Sequence, residues 1–453
     1  MAEEAWHAAR LIPTSGIRGA EEQERRATSA LLAVMASVRE FGRALVAPLG
    51  APGGHIETFI EVPFDVDERR VYPDGLIRVT RGQRSWVALV EVKTADNQLQ
   101  VSQLEDYLDV ARAENFDVLL TISNELVAIP GAHPTEVDKR RLRKVALHHL
   151  SWTQVLTEAV MQKVFRGVAD PDQAWILGEL VRYLEHPRSG AMQPQDMGAS
   201  WVSVREAVSA GTLRSGDKTA SEVAARWDQL IRYACLRLGR QLGIEVQPVL
   251  SRKELSQPPV RVQTLVAVLS DGGVLTGGVR IPDAIAPISV DADIRAGKVI
   301  CSVDIDAPRE GRQQTRVNWL VRQLKDSPDD VRVDAFVAHG RGSSTSEMLR
   351  DVRIDPSKLT PDAKRELRSF RVARSTPMGS KRGEGRGSFV TSVLDALDIF
   401  YGDVVQNLRP WAAKPPKLRL PEPGRVGEPS VPKDLPSTSL SSQDGVEEPG
   451  FVT

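Results

Sequence analysis

Residues 20 to 46 place Leu31, Val34, Met35, Val38, Phe41 and Leu45 at spacings of three and four, which predicts one long amphipathic helix whose acidic first turn suits the helix dipole. The period then shortens. The runs HIETFIEVPF (55–64), DGLIRVT (74–80) and SWVALVEVK (85–93) read as strands, and their connections, DVDERRVYP and RGQR, are short enough to make hairpins. In NQLQVSQLEDYLDVARAEN, Val101, Leu104, Leu108 and Ala111 share one helical face, and FDVLLTIS (116–123) reads as a fully buried strand. The predicted order is helix, three strands, helix, strand. Beyond it, TEVDKRRLRKVALHHLSW predicts a charged helical turn and a short strand, and SWTQVLTEAVMQKVF predicts a helix opened by a Ser151/Gln154 capping box.

The stretch 170–245 predicts mostly helix, clearest in DQAWILGELVRYLEHP and ASEVAARWDQLIRYACLRLGRQLG. From residue 260 onward the period reads as two. VQTLVAVLSDGGVLTGGVRIP, ISVDADIRAGKVICSVDIDAP and DVRVDAFVAHG predict strands turned at SDGG and RAGK, with a helix over 312–325 before the last of them. GSKRGEGRGS (379–388) reads as a flexible basic loop, and SFVTSVLDALDIFYGDVVQNL as a closing amphipathic helix. The expected fold class is therefore an α/β to α+β multidomain chain: an αβββαβ unit over 1–165, a helical region over 166–250, an antiparallel α+β domain over 251–411, and a disordered Pro/Ser-rich tail over 412–453.

Composition narrows the chemistry. A length of 453 residues suggests about two to four domains of roughly 150 residues each. A net charge of −1 advertises no polyanionic partner, so any nucleic-acid contact must use local patches. Cys235 and Cys301 stand far apart without a CxxC or Cys/His cluster, which argues against structural zinc and for buried thiols. The start MAEEAWHAAR has no long apolar segment, and no run nears the roughly 18 apolar residues of a membrane helix, so a cytoplasmic protein without a membrane partner is expected.

Glu91 and Lys93, two apart at the end of an apolar run, project from the same side of their strand. Charges there are costly unless paired, hydrogen-bonded or bound to a metal. If the two strands form an antiparallel hairpin, Asp74 at the start of one lies beside Glu91 and Lys93 at the end of the other. Two converging carboxylates repel, a conflict that a divalent cation resolves, and a neighbouring lysine can orient water or offset developing charge. The dipeptides alone carry little weight: Pro-Asp occurs five times, and Asp362 to Lys364 in TPDAKREL reads as a helix start.

Asp74, Glu91 and Lys93, set in that element order, resemble the PD-(D/E)XK nuclease superfamily, the restriction-endonuclease-like fold, over about residues 20 to 125. The resemblance implies hydrolysis of DNA phosphodiester bonds with Mg²⁺, for which Mn²⁺ can substitute. Asp74 and Glu91 would be metal ligands and Lys93 the catalytic lysine. Gln103 and Tyr107 resemble the QxxxY pattern of a subset of these nucleases, where they support the lysine or contact DNA. The resemblance also implies a metal-site glutamate on the first helix; Glu24 is the first candidate and Glu21 the second, and spacing does not choose between them. The expected role is in bacterial defence, DNA repair or a stress response. The alternative is an inactive adaptor of the same fold that binds DNA or a protein partner, and the C-terminal domain is the expected surface for such a partner or for a second copy of the chain.

Two further groups are candidates for nucleic-acid binding. DKRRLRK supplies Lys139, Arg140, Arg141, Arg143 and Lys144 as phosphate contacts. On the helix EGRQQTRVNWLVRQLKD, Val317, Leu320, Val321 and Leu324 face a core, while Arg312, Arg316 and Trp319 share an adjoining face able to clamp phosphate and stack on a ring. His148 and His149 are read as structural, one exposed and one buried by strand alternation.

Overall fold

A computed structural model describes residue 12 and residues 19–66, 69–127, 131–192, 196–338, 344–360, 362, 365–383 and 385–413. The expected tail from 414 onward and Lys364 lie outside these residues. The described residues up to Trp411 belong to one compact unit of mixed α/β structure built around two large sheets.

The expected first helix is two helices, α1 (Ala20–Ser37) and α2 (Arg39–Val46). The chain breaks at Val38, whose backbone is extended and whose side chain is fully buried. Gly42 permits the turn, because a Cβ there would lie 2.2 Å from the Met35 carbonyl oxygen. Then follow β1 (His55–Ile60), a two-stranded ribbon of β2 (Phe64–Val66) and β3 (Arg69–Val71), β4 (Gly75–Arg81), β5 (Arg84–Val92), α3 (Val101–Ala113), β6 (Val118–Ser123) and β7 (Ala146–Ser151). The ribbon occupies the connection read as a simple hairpin loop. Five strands form one sheet in the order β1-β4-β5-β6-β7, with antiparallel pairing through β5 and parallel pairing from β5 to β7.

Strand alternation divides this sheet into two faces. Ile77, Val79, Ala88, Val90, Val92, Leu120 and Ile122 pack beneath α1 and α2, and beneath α4 (Trp152–Val160) and α5 (Pro171–Glu185). Leu76, Leu89 and Leu119 pack on the other face beneath Leu104, Tyr107 and Leu108 of α3. The predicted capping box is present at the start of α4, where Ser151 and Gln154 bond reciprocally. The first core runs past residue 165, since Leu177, Leu180, Tyr183 and Leu184 of α5 are buried in it.

The second half contains α6 (Trp201–Ala210), α7 (Lys218–Leu242), β8 (Gln247–Pro248), α8 (Arg252–Ser256), α9 (Pro258–Gly272), β9 (Val274–Arg280), β10 (Ile288–Asp293), β11 (Lys298–Asp306), α10 (Gln313–Gln323), β12 (Arg332–Val337), β13 (Ser344–Met348), α11 (Leu349–Ile354), β14 (Leu367–Pro377) and α12 (Phe389–Asp403). Its seven-stranded sheet runs β13-β12-β14-β11-β10-β9-β8 and is antiparallel throughout. RAGK is the predicted hairpin turn between β10 and β11. SDGG is not a hairpin turn: the segment before it is α9, in which Leu265, Val266 and Leu269 are buried at helical spacing, and Gly273 caps the helix at φ 72°. Among the described residues, no helix is long and apolar enough to cross a membrane.

Candidate metal and phosphodiester site

The β4–β5 hairpin turns at Gly82, φ 60°, within RGQR and pairs Gly75 with Val90. Continuing that register by one residue sets Asp74 opposite Glu91. Parallel pairing carries the row onward, Glu91 beside Thr121 of β6 and Thr121 beside His149 of β7, so four neighbouring strands present Asp74, Glu91, Thr121 and His149 on the face that α3 covers.

Glu91 is 1% exposed. The Lys93 ammonium lies 2.5 Å from its Oε1, and among the described residues no well-oriented hydrogen-bond donor reaches either of its oxygens. Burial, and then the Asp74 charge, push the Glu91 carboxyl up to about 8, more than the attraction of Lys93 can offset. Asp74 is raised as well, chiefly by burial, although its Oδ2 accepts a 2.7 Å bond from the Val92 amide. The two carboxyl groups are close enough to share a proton. Burial alone would lower Lys93, but Glu91, Glu24 and Asp74 outweigh it and hold the amine charged.

Lys93 is fixed at both ends. Its amide donates to Ile122 O at 2.7 Å and its carbonyl accepts from Trp152 Nε1 at 2.9 Å. Glu24 of α1 reaches the ammonium at 3.4 Å and accepts a bond from the Asn97 amide. Glu21 instead pairs with Arg25 on the same helix. Glu24 is thus the first-helix glutamate that meets the site, through the lysine. On α3, Gln103 Nε2 donates to the Tyr107 hydroxyl at 3.1 Å, and that hydroxyl donates to the Tyr72 carbonyl at 3.1 Å. Burial, and then Glu91, push the Tyr107 hydroxyl up to about 12, so it remains a donor. The pair grips the backbone two residues before Asp74.

Asp74 and Glu91 form the hard-oxygen pair best suited to a divalent cation, and Glu91, whose buried oxygens meet only the Lys93 ammonium and the Asp74 carboxyl, is the group whose charge such an ion would offset. Among the described residues, no group of three His, Cys, Asp or Glu side chains stands in a metal-ligating array. Two site neighbours had no local motif. Asn97 sits in an ordinary turn, and Thr121 looks like any residue of a buried strand until the sheet register is known. Thr121 Oγ1 lies 2.8 Å from His133 Nε2 and 2.9 Å from His149 Nδ1. His149 Nε2 lies 2.9 Å from the Glu125 carbonyl, which only an N–H can satisfy. Thr121 therefore donates to His149 Nδ1 and accepts from His133. Burial pushes His149 down to about 4 and keeps it neutral. His148 is half-buried, so the expected exposed and buried pair of histidines is not seen.

The nucleic-acid candidates do not gather at this site. Residues 139–144 precede β7 and lie beside the amino-terminal ends of β6 and β7, whereas Glu91 lies near the carboxyl-terminal end of β5. Arg141 is committed to Glu105 and Asp109 of α3; Lys139, Arg140, Arg143 and Lys144 are exposed. Arg316 is engaged within its own fold. Its guanidinium donates to the carbonyls of Arg309, Gly311 and Leu367, satisfying the backbone around the start of α10. Trp319 is half-buried against the second core, and Arg312 is exposed. Comparison with family models, curated proteins and solved structures finds no match to this chain.

Proposed function

We propose that this protein is a metal-dependent nuclease of the PD-(D/E)XK type that hydrolyses DNA phosphodiester bonds. One observation supports the reading above the others: Asp74 and Glu91 face each other across a hairpin, and Glu91, buried and without a well-oriented donor, meets the ammonium of Lys93. A buried ion pair is a poor source of stability, so three ionisable groups at one sheet end call for another explanation.

Asp74 and Glu91 would hold Mg²⁺, or Mn²⁺ in its place. When bound, the metal supplies polarisation of the phosphoryl oxygen and a bound water of lowered pKa. Lys93 supplies a fixed positive charge beside the carboxylates, able to orient the attacking water and offset charge on the phosphoryl oxygens. Glu24 and Asn97 position that lysine, and Gln103 with Tyr107 positions the backbone leading to Asp74. Purified protein with Mg²⁺ or Mn²⁺ should cleave DNA, and Lys93→Ala should remove the activity while leaving the circular dichroism spectrum unchanged. Equal cleavage by both proteins contradicts the role of Lys93. A part in bacterial defence, DNA repair or a stress response suits this activity.

The adaptor reading has its own observation. Lys93 is closed onto both Glu91 and Glu24, as a purely structural ion-pair cluster would be. Absence of divalent-cation binding by calorimetry, with Asp74→Ala indistinguishable from wild type, would favour it.

A further inference from the structure

The Asp74 side of the site carries two exposed aromatic rings, each beside an arginine. Tyr72 is 53% exposed, near Arg70, whose guanidinium pairs with Asp65 at 3.3 Å. Phe59, at the end of edge strand β1, is 39% exposed, and the Arg78 guanidinium lies 5.1 Å from its ring centre. The two residues stand near Asp74 along the backbone. Tyr72 precedes it by two residues, at most about 7 Å of extended chain. Phe59 pairs with Leu76, which puts it one strand across and two residues along, roughly 8 Å away by strand geometry.

Single exposed aromatics need no explanation, but two such rings flanking one carboxylate form a surface. The backbone beneath them is tied to its neighbours. The Tyr72 carbonyl accepts the Tyr107 hydroxyl, and Phe64 at the start of the β2–β3 ribbon packs edge-on against Phe116 at 5.8 Å. An exposed ring suits a planar base, because every base has a face to stack; Arg70 is paired with Asp65 at 3.3 Å and Arg78 with Glu57 at 2.9 Å, so the rings carry the contact. Helix α3 and the β2–β3 ribbon cover the β4–β6 part of this face, while Phe59 on edge strand β1 and Tyr72 beside Asp74 stay exposed.

Building on the nuclease reading, we infer that Tyr72 stacks on an unpaired base next to the phosphate held at Asp74, that Phe59 offers a second stacking position, and that the protein therefore prefers single-stranded or splayed nucleic acid to intact duplex. The test uses full-length protein in EDTA, so that binding is read without turnover, and a single-stranded DNA oligonucleotide bearing 2-aminopurine. Wild type should quench the 2-aminopurine fluorescence. Tyr72→Ala should lose the quenching and weaken binding by about 5- to 100-fold, Tyr72→Phe should retain both, and duplex binding should change far less. With Mg²⁺ added, the Tyr72→Ala defect should appear in KM. Tyr72→Ala that binds and quenches as wild type does, with the same KM, overturns the inference and leaves the nuclease reading intact. Wild type that binds and quenches but does not cleave with Mg²⁺ supports the stacking surface and overturns the nuclease reading instead.

Discussion

Lys93 Nζ stands 2.5 Å from Glu91 Oε1, beside a carboxylate that is 1% exposed and is raised to about 8 by burial and by Asp74. A pair held so tightly makes the charge state of each partner depend on the other.

Removing the lysine should therefore act differently on activity and on stability. Lys93→Ala is expected to lose at least about 100-fold in cleavage rate, the scale for deleting one preorganised electrostatic group. The stability cost should stay well below the roughly 3–5 kcal/mol of a broken buried ion pair, because Glu91 can escape its isolation by taking a proton. Urea unfolding at pH 6 and pH 9 checks this, with the variant relatively weaker at pH 9, because without Lys93 the Glu91 carboxyl is raised further and the folded protein holds a proton that the unfolded chain has released.

Cation binding should displace a proton. At pH 7, below the Glu91 value of about 8, the carboxyl is largely protonated in the metal-free protein, and a cation requires it ionised. Mg²⁺ titrations in two buffers of different ionisation enthalpy should show release approaching one proton per ion. Glu91→Gln should abolish both the release and most of the affinity.

The Thr121 network predicts acid sensitivity away from the carboxylates. His149 is lowered from 6.5 to about 4 by burial, so between those values the unfolded chain binds a proton that the folded protein refuses. Stability then rises with pH across this window and falls on acidification from pH 6.5 to pH 4. Denaturant melts along this range should show the loss, and His149→Gln should flatten the slope.

Arg316 is expected to matter for folding and not for nucleic acid. Three backbone carbonyls depend on its guanidinium, so Arg316→Ala should cost about 1–3 kcal/mol through unsatisfied groups, with DNA affinity unchanged. Thermal melts and oligonucleotide binding on the same preparations separate the two effects.

A chain ended at residue 165 should not melt cooperatively. It would expose the core surface covered by Leu177, Leu180, Tyr183 and Leu184, each contributing about 1.5–3 kcal/mol when buried. It would also lose Gly190, whose carbonyl accepts from the Ala95 amide and the Asn124 side chain just beyond Lys93. Differential scanning calorimetry of the truncated and full-length chains checks this.

The legible part of the site was its hairpin. Alternation in DGLIRVT and SWVALVEVK, with RGQR between them, was enough to oppose Asp74 and Glu91, because a two-residue turn leaves one register. The rest needed three dimensions. Glu24 was separated from Glu21 by where α1 meets Lys93, and Thr121 joined the row only through parallel pairing, which no turn announces. In the second sheet, β14 is an interior strand between β12 and β11, yet LRSFRVARSTP hides its apolar alternation because one face carries Ser369, Arg371 and Ser375, with Arg371 bound to Asp304. Likewise, the segment of α9 suits a strand in sequence because short apolar runs fit either period, and the prolines that open it are the stronger signal.

On the nuclease reading, Asp74 and Glu91 hold one divalent cation between them. Crystals soaked in Mn²⁺ and measured at an anomalous wavelength test it directly. One strong anomalous peak bounded by these two carboxylates, and lost in Asp74→Ala, is the expected result. A map with no peak there at saturating Mn²⁺, with Lys93 still closed on Glu91, would contradict it.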